Sequence, residues 1–494
     1  MFNPINDPEI FIALVGRIGT STRRVAAEIE NSLQNYKYTS THIQISELIQ
    51  DAFPDKKIPT KSIERYNKLI TLGNKYRKKS KNAAAAAKLA ALSIVHNRKK
   101  ETGDVQKPQI RHAYIVNQLK RPEEVDYFRK IYGERFFLVS CHAPRQARLM
   151  DLTLRMQSDH PENPDLDEWK HRSTILINRD EAEVDSTWGQ RVADAFPMAD
   201  LFVDVTGDFR SLLDRFFAGI FGDGRASPTR EEYGAHLASV AALKSNDLSR
   251  QVGAAIVSNE GELISLGCNE VPKSGGGMYW EGDDTDDRDI AKGVDINSIK
   301  KKEMILDLIS KMKKRGWLKR SASKIDEASV VADHIDSRSG FLRDSKIMDG
   351  IEFGRAIHAE MNAIIDAARF GRSTSGATMY VTTFPCHNCA KHIVGAGVDK
   401  VIYQEPYEKS KALNLYSKDI TLDGEVPDSV NFKQFVGIGT RQYRRIYAKS
   451  RLKEASGKAK VFDPKTANPI RNSLTLEYLK IEAAAVSEAD APKG

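Results

Sequence analysis

Tyr380-Val-Thr-Thr-Phe-Pro-Cys-His-Asn-Cys-Ala390 decides how the second half of this chain is read. A β-forming run from Tyr380 to Thr383 ends at Phe384-Pro385, and Cys386 and Cys389 follow, three residues apart. In the first turn of a helix that spacing turns both sulfurs to one side. Pro385 stands where a missing backbone N–H costs little. The positive end of the helix favours thiolate over thiol. Upstream, His358-Ala-Glu360 offers an imidazole and a carboxylate. Two thiolates and a neutral imidazole balance the charge of Zn²⁺, and three protein ligands leave the fourth tetrahedral position to water. Water bound in that way is far more acidic than bulk water. Glu360 is too close to His358 in sequence to be an obvious co-ligand and is well placed to carry that proton. The expectation is a zinc held by His358, Cys386 and Cys389, with Glu360 as the proton shuttle. The alternative is a structural zinc, with a fourth ligand from Cys268, His387, His392 or a more distant histidine.

Working outward, residues 229–450 read as one domain. A helix is expected after Thr229, with Tyr233, Leu237, Val240 and Ala241 as its core stripe. Strands are expected at 252–257 and 263–266, and a long polar insertion at about 273–350. The insertion opens on Ser274-Gly-Gly-Gly277 and carries the acidic run Glu281 to Asp287. The His358 helix, the strand 378–383, the Cys386 helix and the strand 400–403 follow. Residues 451–494 are polar, end in an Ala/Glu/Lys-rich run and read as a C-terminal tail.

Residues 1–222 alternate differently. Strands are expected at 11–15, 113–116, 136–140, 174–177 and 201–205, with helices between them, which predicts a parallel α/β sheet. Gly222-Asp-Gly-Arg-Ala-Ser-Pro-Thr229 is the linker candidate. After the first strand, Gly16-Arg-Ile-Gly19-Thr20-Ser21 enters a helix, where free backbone N–H groups attract anions. Gly16, Gly19, Thr20 and Ser21 are therefore candidate nucleotide-binding residues. The G-x-x-x-x-G-K-[ST] pattern is not met, because the loop has no lysine. Ligand-free turn glycines are the competing reading, and kinase activity is not expected. Lys120-Arg121 and Arg145 to Arg148 follow other strand candidates, as a phosphate clamp would, or as surface ion pairs.

The chain has 494 residues, 40% hydrophobic and 29% charged, too long for one ordinary core and of globular composition. No stretch is long and apolar enough to span a membrane, and no secretory signal is visible. Cys141, Cys268, Cys386 and Cys389 are the only cysteines, and the metal motif claims two. That argues against a disulfide framework and for a reducing, cytoplasmic setting. A net charge of +8 suits polyanionic partners such as nucleotides or nucleic acid.

H-x-E followed by P-C-x-x-C is the signature of zinc deaminases that act on nucleobases. Ser249-Arg-Gln-Val-Gly-Ala-Ala-Ile256, Gly267-Cys-Asn-Glu-Val-Pro272, His358-Ala-Glu-Met-Asn-Ala-Ile364 and the 380–390 run resemble deoxycytidylate deaminases. With Gln404 to Ala412 and the N-terminal loop, the chain resembles the bacterial antiviral deoxycytidylate deaminases. That resemblance implies a degenerate P-loop kinase-like N-terminal sheet domain and a C-terminal cytidine-deaminase α/β/α sandwich. It implies conversion of dCTP and dCMP to dUTP and dUMP, draining deoxycytidine nucleotides during phage infection. It further implies an inhibitory noncoding RNA partner and a homo-oligomer, often a hexamer. Asn269 would hydrogen-bond the sugar, with turn capping as its alternative role, and Arg250 is a candidate phosphate contact. The insertion has no obvious counterpart in small dCMP deaminases; an allosteric nucleotide, an oligomer contact and an RNA contact all stay open for it. Two other functions compete: a deaminase of cytosine within a polynucleotide, and a nucleotide- or RNA-sensing protein with an inert deaminase domain.

Overall fold

The computed structural model describes residues 7–182, 187–319, 324–337, 340–343, 345–407, 410–422, 424, 426–469 and 477–487. The chain divides into two units. The first comprises 1–236, 404–406 and 434–494, and the second 237–403 and 407–433. Among the described residues no helix is long and apolar enough to cross a membrane.

In the first unit the apolar run Ile10–Gly16 forms β1, buried along its whole length. A strand without a polar face must be covered on both sides, as in a parallel α/β sheet. The same sheet holds β2 (Thr39–Gln44), β3 (His112–Leu119), β4 (Phe136–His142) and β5 (Leu201–Asp204), and β1 pairs directly with β3 and β4. The order is β2-β3-β1-β4-β5, all parallel, with Gly437–Ile438 antiparallel at the β5 edge. β2 went unread in the sequence because Thr-Ser-Thr-His-Ile-Gln is an edge strand with mostly polar residues.

The strand expected at 174–177 is instead part of helix Leu166–Ala182. Trp169, Ser173, Leu176 and Ile177 are all at most 2% exposed. Their spacing is the i, i+4, i+7, i+8 stripe of a helix. The apolar run was too short to separate the two periods.

The polar-tail reading of 451–494 is corrected for residues 477–487. Helix Glu477–Ser487 buries Tyr478, Leu479 and Glu482 in the first unit. Glu482 ion-pairs with Arg98, which also holds Glu9, and each of the three side chains is at most 2% exposed. Tyr478 donates to Glu9 and Tyr132 donates to Glu482, each at 2.7 Å. Glu482→Ala leaves the Arg98 cation half-compensated and the Tyr132 hydroxyl without its acceptor. The expected cost is about 3 kcal/mol, read from urea unfolding followed by circular dichroism. A loss below about 1 kcal/mol, the level of an exposed pair, would contradict the latch.

Helix Arg230–Ala242 also departs from expectation. Tyr233 and Val240, named as core stripe, are 42% and 48% exposed, while Ala235, Ala238 and Ala242 are buried. The reason is close approach: a Cβ on Gly253 would lie 2.0 Å from the Ala238 carbonyl oxygen. Only the small-residue face fits flush on that strand. The same helix explains why the units divide after His236 rather than at the 222–229 linker. Buried Glu232 binds Arg215, accepts from Tyr447 at 2.7 Å and accepts from the Ile438 amide at 2.8 Å, all within the first unit.

The second unit has a mixed sheet built on β6 (Gly253–Val257), β7 (Leu263–Cys268), β8 (Thr378–Thr383) and β9 (Lys400–Glu405). Its order is Ile420–Leu422, Val430–Gln434, β9, β8, β6, β7. β6 runs antiparallel to both neighbours, and the first two strands are parallel. The insertion is folded where it is described: helix Ile296–Lys314 contributes Ile305 to a small cluster with Val330 and Ile335.

Candidate active site

Two helix entrances meet at the zinc motif. His358 is the N-cap of helix Ala359–Arg369, and Cys386 is the N-cap of helix His387–Gly395. The first helix lies hard against β7, because a Cβ on Gly267 would fall 2.1 Å from the Ala359 carbonyl oxygen. Asn362 adds a clamp by donating from Nδ2 to the Cys268 carbonyl at 3.0 Å. The second helix follows β8, and Ser410 fixes its entrance by donating to the Pro385 carbonyl at 2.7 Å. Neither clamp was foreseen from the sequence, since a single Asn or Ser carries no distinguishing spacing.

His358, Cys386 and Cys389 present ligand atoms that all lie within 4.8 Å of one another. His358 Nδ1 is 3.4 Å from each sulfur. Around a tetrahedral zinc, bond lengths near 2.3 Å to sulfur and 2.0–2.1 Å to nitrogen put S and N about 3.6 Å apart. The geometry and the donor chemistry therefore fit zinc. Glu360 is 4% exposed, and its carboxyl group hydrogen-bonds the Cys389 sulfur. Among the described residues no other group of His, Cys, Asp and Glu is arranged to hold a metal. Cys268, His387 and His392 are not in this one, so the donor set has three members, as an open site needs.

The electrostatics agree with a ligand set. Hydrogen bonds from the Cys389 thiol and the His358 imidazole pull Cys386 down to about 4. The Cys386 contact raises His358 to about 9. The bond to Cys386, with burial, pushes the Cys389 thiol up, and burial raises the Glu360 carboxyl. A metal that takes both sulfurs as thiolates releases these protons.

The Asn269 carboxamide faces its own backbone. Oδ1 accepts from the Val252 amide at 2.7 Å, and Nδ2 donates to the Arg250 carbonyl. The side chain thereby clamps the entry to β6. Asp247 caps the same turn, accepting from the amides of Ser249 at 2.8 Å and Arg250 at 3.2 Å. Arg250 is exposed, its guanidinium 5.7 Å from the Tyr407 ring centre.

Gly16, Gly19, Thr20 and Ser21 lie in the first unit. Gly19, Thr20 and Ser21 line a cavity of about 520 Å³ beyond the end of β1. Gly19 has φ +82°, and a Cβ there would touch the Arg148 carbonyl oxygen at 2.9 Å, so only glycine fits this turn.

Residues 228–405 match the family model of the cytidine and deoxycytidylate deaminase zinc-binding region. The matched stretch contains His358, Glu360, Cys386 and Cys389. A 55-residue stretch is 58% identical to the deoxycytidylate deaminase of Enterobacteria phage T2, covering 11% of this chain and 29% of that protein. Against the Mus musculus deoxycytidylate deaminase, identity is 25% over 216 residues, 44% of this chain and 82% of the other. The solved dCMP deaminase of cyanophage S-TIM5 with dCMP and dUMP aligns over 42% of this chain and 98% of its own, at 19% identity and a TM-score of 0.24. The chain spans less than a third of the length of the phage T2 relative it matches.

Proposed function

We propose that this domain hydrolyses the exocyclic amine of cytosine in free deoxycytidine nucleotides, turning dCMP and dCTP into dUMP and dUTP. One observation carries the reading: the buried Glu360 carboxyl sits on the sulfur of Cys389, within a zinc-compatible His/Cys/Cys group. Zinc, when bound by His358, Cys386 and Cys389, supplies a water acidified toward neutral pH. Glu360 takes a proton from the attacking water and passes it to the ring nitrogen beside C4. It then delivers a proton to the departing amine, which leaves as ammonia while oxygen stays on C4. Burial of Glu360 keeps bulk water from competing for that proton. Asn269 would place the strand entry and offer the second lone pair of Oδ1 to the sugar. Arg250, exposed beside Tyr407, would meet the phosphate.

The bacterial antiviral resemblance supports further parts of the reading. These are depletion of deoxycytidine nucleotides in anti-phage defence, a cytoplasmic homo-oligomer, an inhibitory RNA and an allosteric nucleotide. The strand order β2-β3-β1-β4-β5 and the glycine loop after β1 support reading the first unit as a degenerate phosphate-loop domain.

The test is ammonia release and mass spectrometry of product with dCMP, dCTP and a cytosine-containing single-stranded DNA as separate substrates. Turnover of the free nucleotides is expected. Deamination of the oligonucleotide with neither free nucleotide touched would overturn the assignment and favour the polynucleotide reading.

A further inference from the structure

A second cavity, of about 300 Å³, lies wholly within the first unit and is lined by four arginines. Arg129 comes from helix Pro122–Tyr132, and Arg441, Arg444 and Arg445 come from helix Thr440–Tyr447. Positions i, i+3 and i+4 share one face of a helix, so the last three arginines are grouped by their spacing. Phe136, the first residue of β4, also lines the cavity. The glycine loop follows the carboxyl end of β1, which runs parallel to β4. The two cavities are therefore at opposite ends of the sheet.

The positive charge here is held in place but not cancelled. Arg129 donates to the Met198 carbonyl. Arg445 donates to the Glu134 carbonyl at 2.6 Å, with its guanidinium 5.0 Å from the Phe137 ring centre. Carbonyls and rings fix a guanidinium without neutralising it. The Arg444 side chain is exposed and has no hydrogen bond or ion pair among the described residues. Arg441, also exposed, has only a long approach of 3.7 Å to Asp200. Asp200 is 4.0 Å from Arg129, and both gaps are too wide for a hydrogen bond. Its carboxylate is already engaged, by Gln442 Nε2 at 2.9 Å and the Leu138 amide at 2.7 Å. Burial first, and then the Arg441 charge, lower the Arg129 guanidinium against the opposing pull of Asp200. An anion between the arginines would relieve that repulsion.

The lining also says what kind of anion fits. Guanidinium forks match phosphate oxygens two at a time. One phosphate group carries about −1.5 to −2 charge, whereas the lining has four arginines and one acid, Glu134. Two linked phosphates come closer to balance. Phe136 is the one large apolar residue on the lining and is buried, so no apolar wall is offered to a base or an acyl chain. The volume is at the small end of ligand pockets.

We propose that this cavity binds a compact anion of two or more linked phosphate groups, of the class of inorganic pyrophosphate. Arg129 and Arg445 form the fixed seat, and Arg441 and Arg444 close on the outer oxygens. The proposal is one of binding, with no bond made or broken, and it stands independently of the deaminase reading.

The test is calorimetric titration of the full chain with pyrophosphate, orthophosphate and sulfate at one ionic strength. Pyrophosphate is expected to bind at least about tenfold more tightly than either of the others. Arg441→Ala and Arg444→Ala are each expected to weaken it by about tenfold or more. Neither side chain makes a hydrogen bond among the described residues, so its loss does not threaten the fold. Arg65→Ala, which alters the cavity beyond β1, is the control for the other end of the sheet. Absence of pyrophosphate binding, or binding that both Arg441→Ala and Arg444→Ala leave intact, overturns the site. Loss in Arg65→Ala with none in Arg444→Ala also overturns it, by moving the anion to the glycine loop. Equal affinity for sulfate and pyrophosphate overturns the phosphate part.

Discussion

Glu360→Gln is expected to keep zinc in the protein while ammonia release from dCMP falls about 10²- to 10⁴-fold. Gln has the size of Glu and keeps one carbonyl acceptor, so the buried position beside Cys389 stays filled. It cannot accept a proton from water and return it to the ring. Removal of a proton carrier, with the ligands intact, separates chemistry from metal binding. Metal content by atomic emission and turnover by ammonia release should therefore part company in this variant. A rate within about tenfold of the native chain's would show that another group moves the proton.

Cys389→Ala is expected to do the reverse and lose the metal first. Cys389 is fully buried, and its sulfur lies 3.4 Å from His358 Nδ1. Zinc held by folded protein sites is bound with about 10–16 kcal/mol. Taking away one of three protein ligands removes on the order of a third of that, which weakens zinc about 10²- to 10⁴-fold. Activity should fall with metal content, and excess zinc should restore part of it. Full zinc occupancy in the purified variant would mean that Cys389 is not a ligand.

These two outcomes rest on the part of the molecule that was most legible in the sequence. His358 and Glu360 are two residues apart, and Cys386 and Cys389 three, so each pair is placed by the local geometry of one helix entrance. Metal chemistry then links the pairs, because few other combinations of residues can hold zinc. The parallel sheet of the first unit was legible for the same reason: β1, β3, β4 and β5 are apolar runs that declare themselves.

What the sequence hid depends on partners far away along the chain. Leu176 and Ile177 looked like a strand until Trp169 and Ser173 joined them on one helix face. Tyr233 and Val240 looked like core because apolar spacing was weighed, whereas the requirement of β6 at Gly253 was for small side chains. Glu482 looked like a solvated charge in a tail because its counter-ion, Arg98, is 384 residues away. Lys120 belongs to the Gly16 loop across 104 residues, and no spacing rule reports that. Asn269 is a sugar contact only by resemblance, and its two bonds to the 250–252 backbone come from strand pairing that only the fold supplies.

The most direct test is to measure zinc content and dCMP deamination on the same preparations of the native chain and the Glu360→Gln variant. The account predicts stoichiometric zinc in both and ammonia release in the native chain alone. Zinc in both with no deamination of dCMP or dCTP by the native chain would contradict it, as would undiminished turnover by the variant.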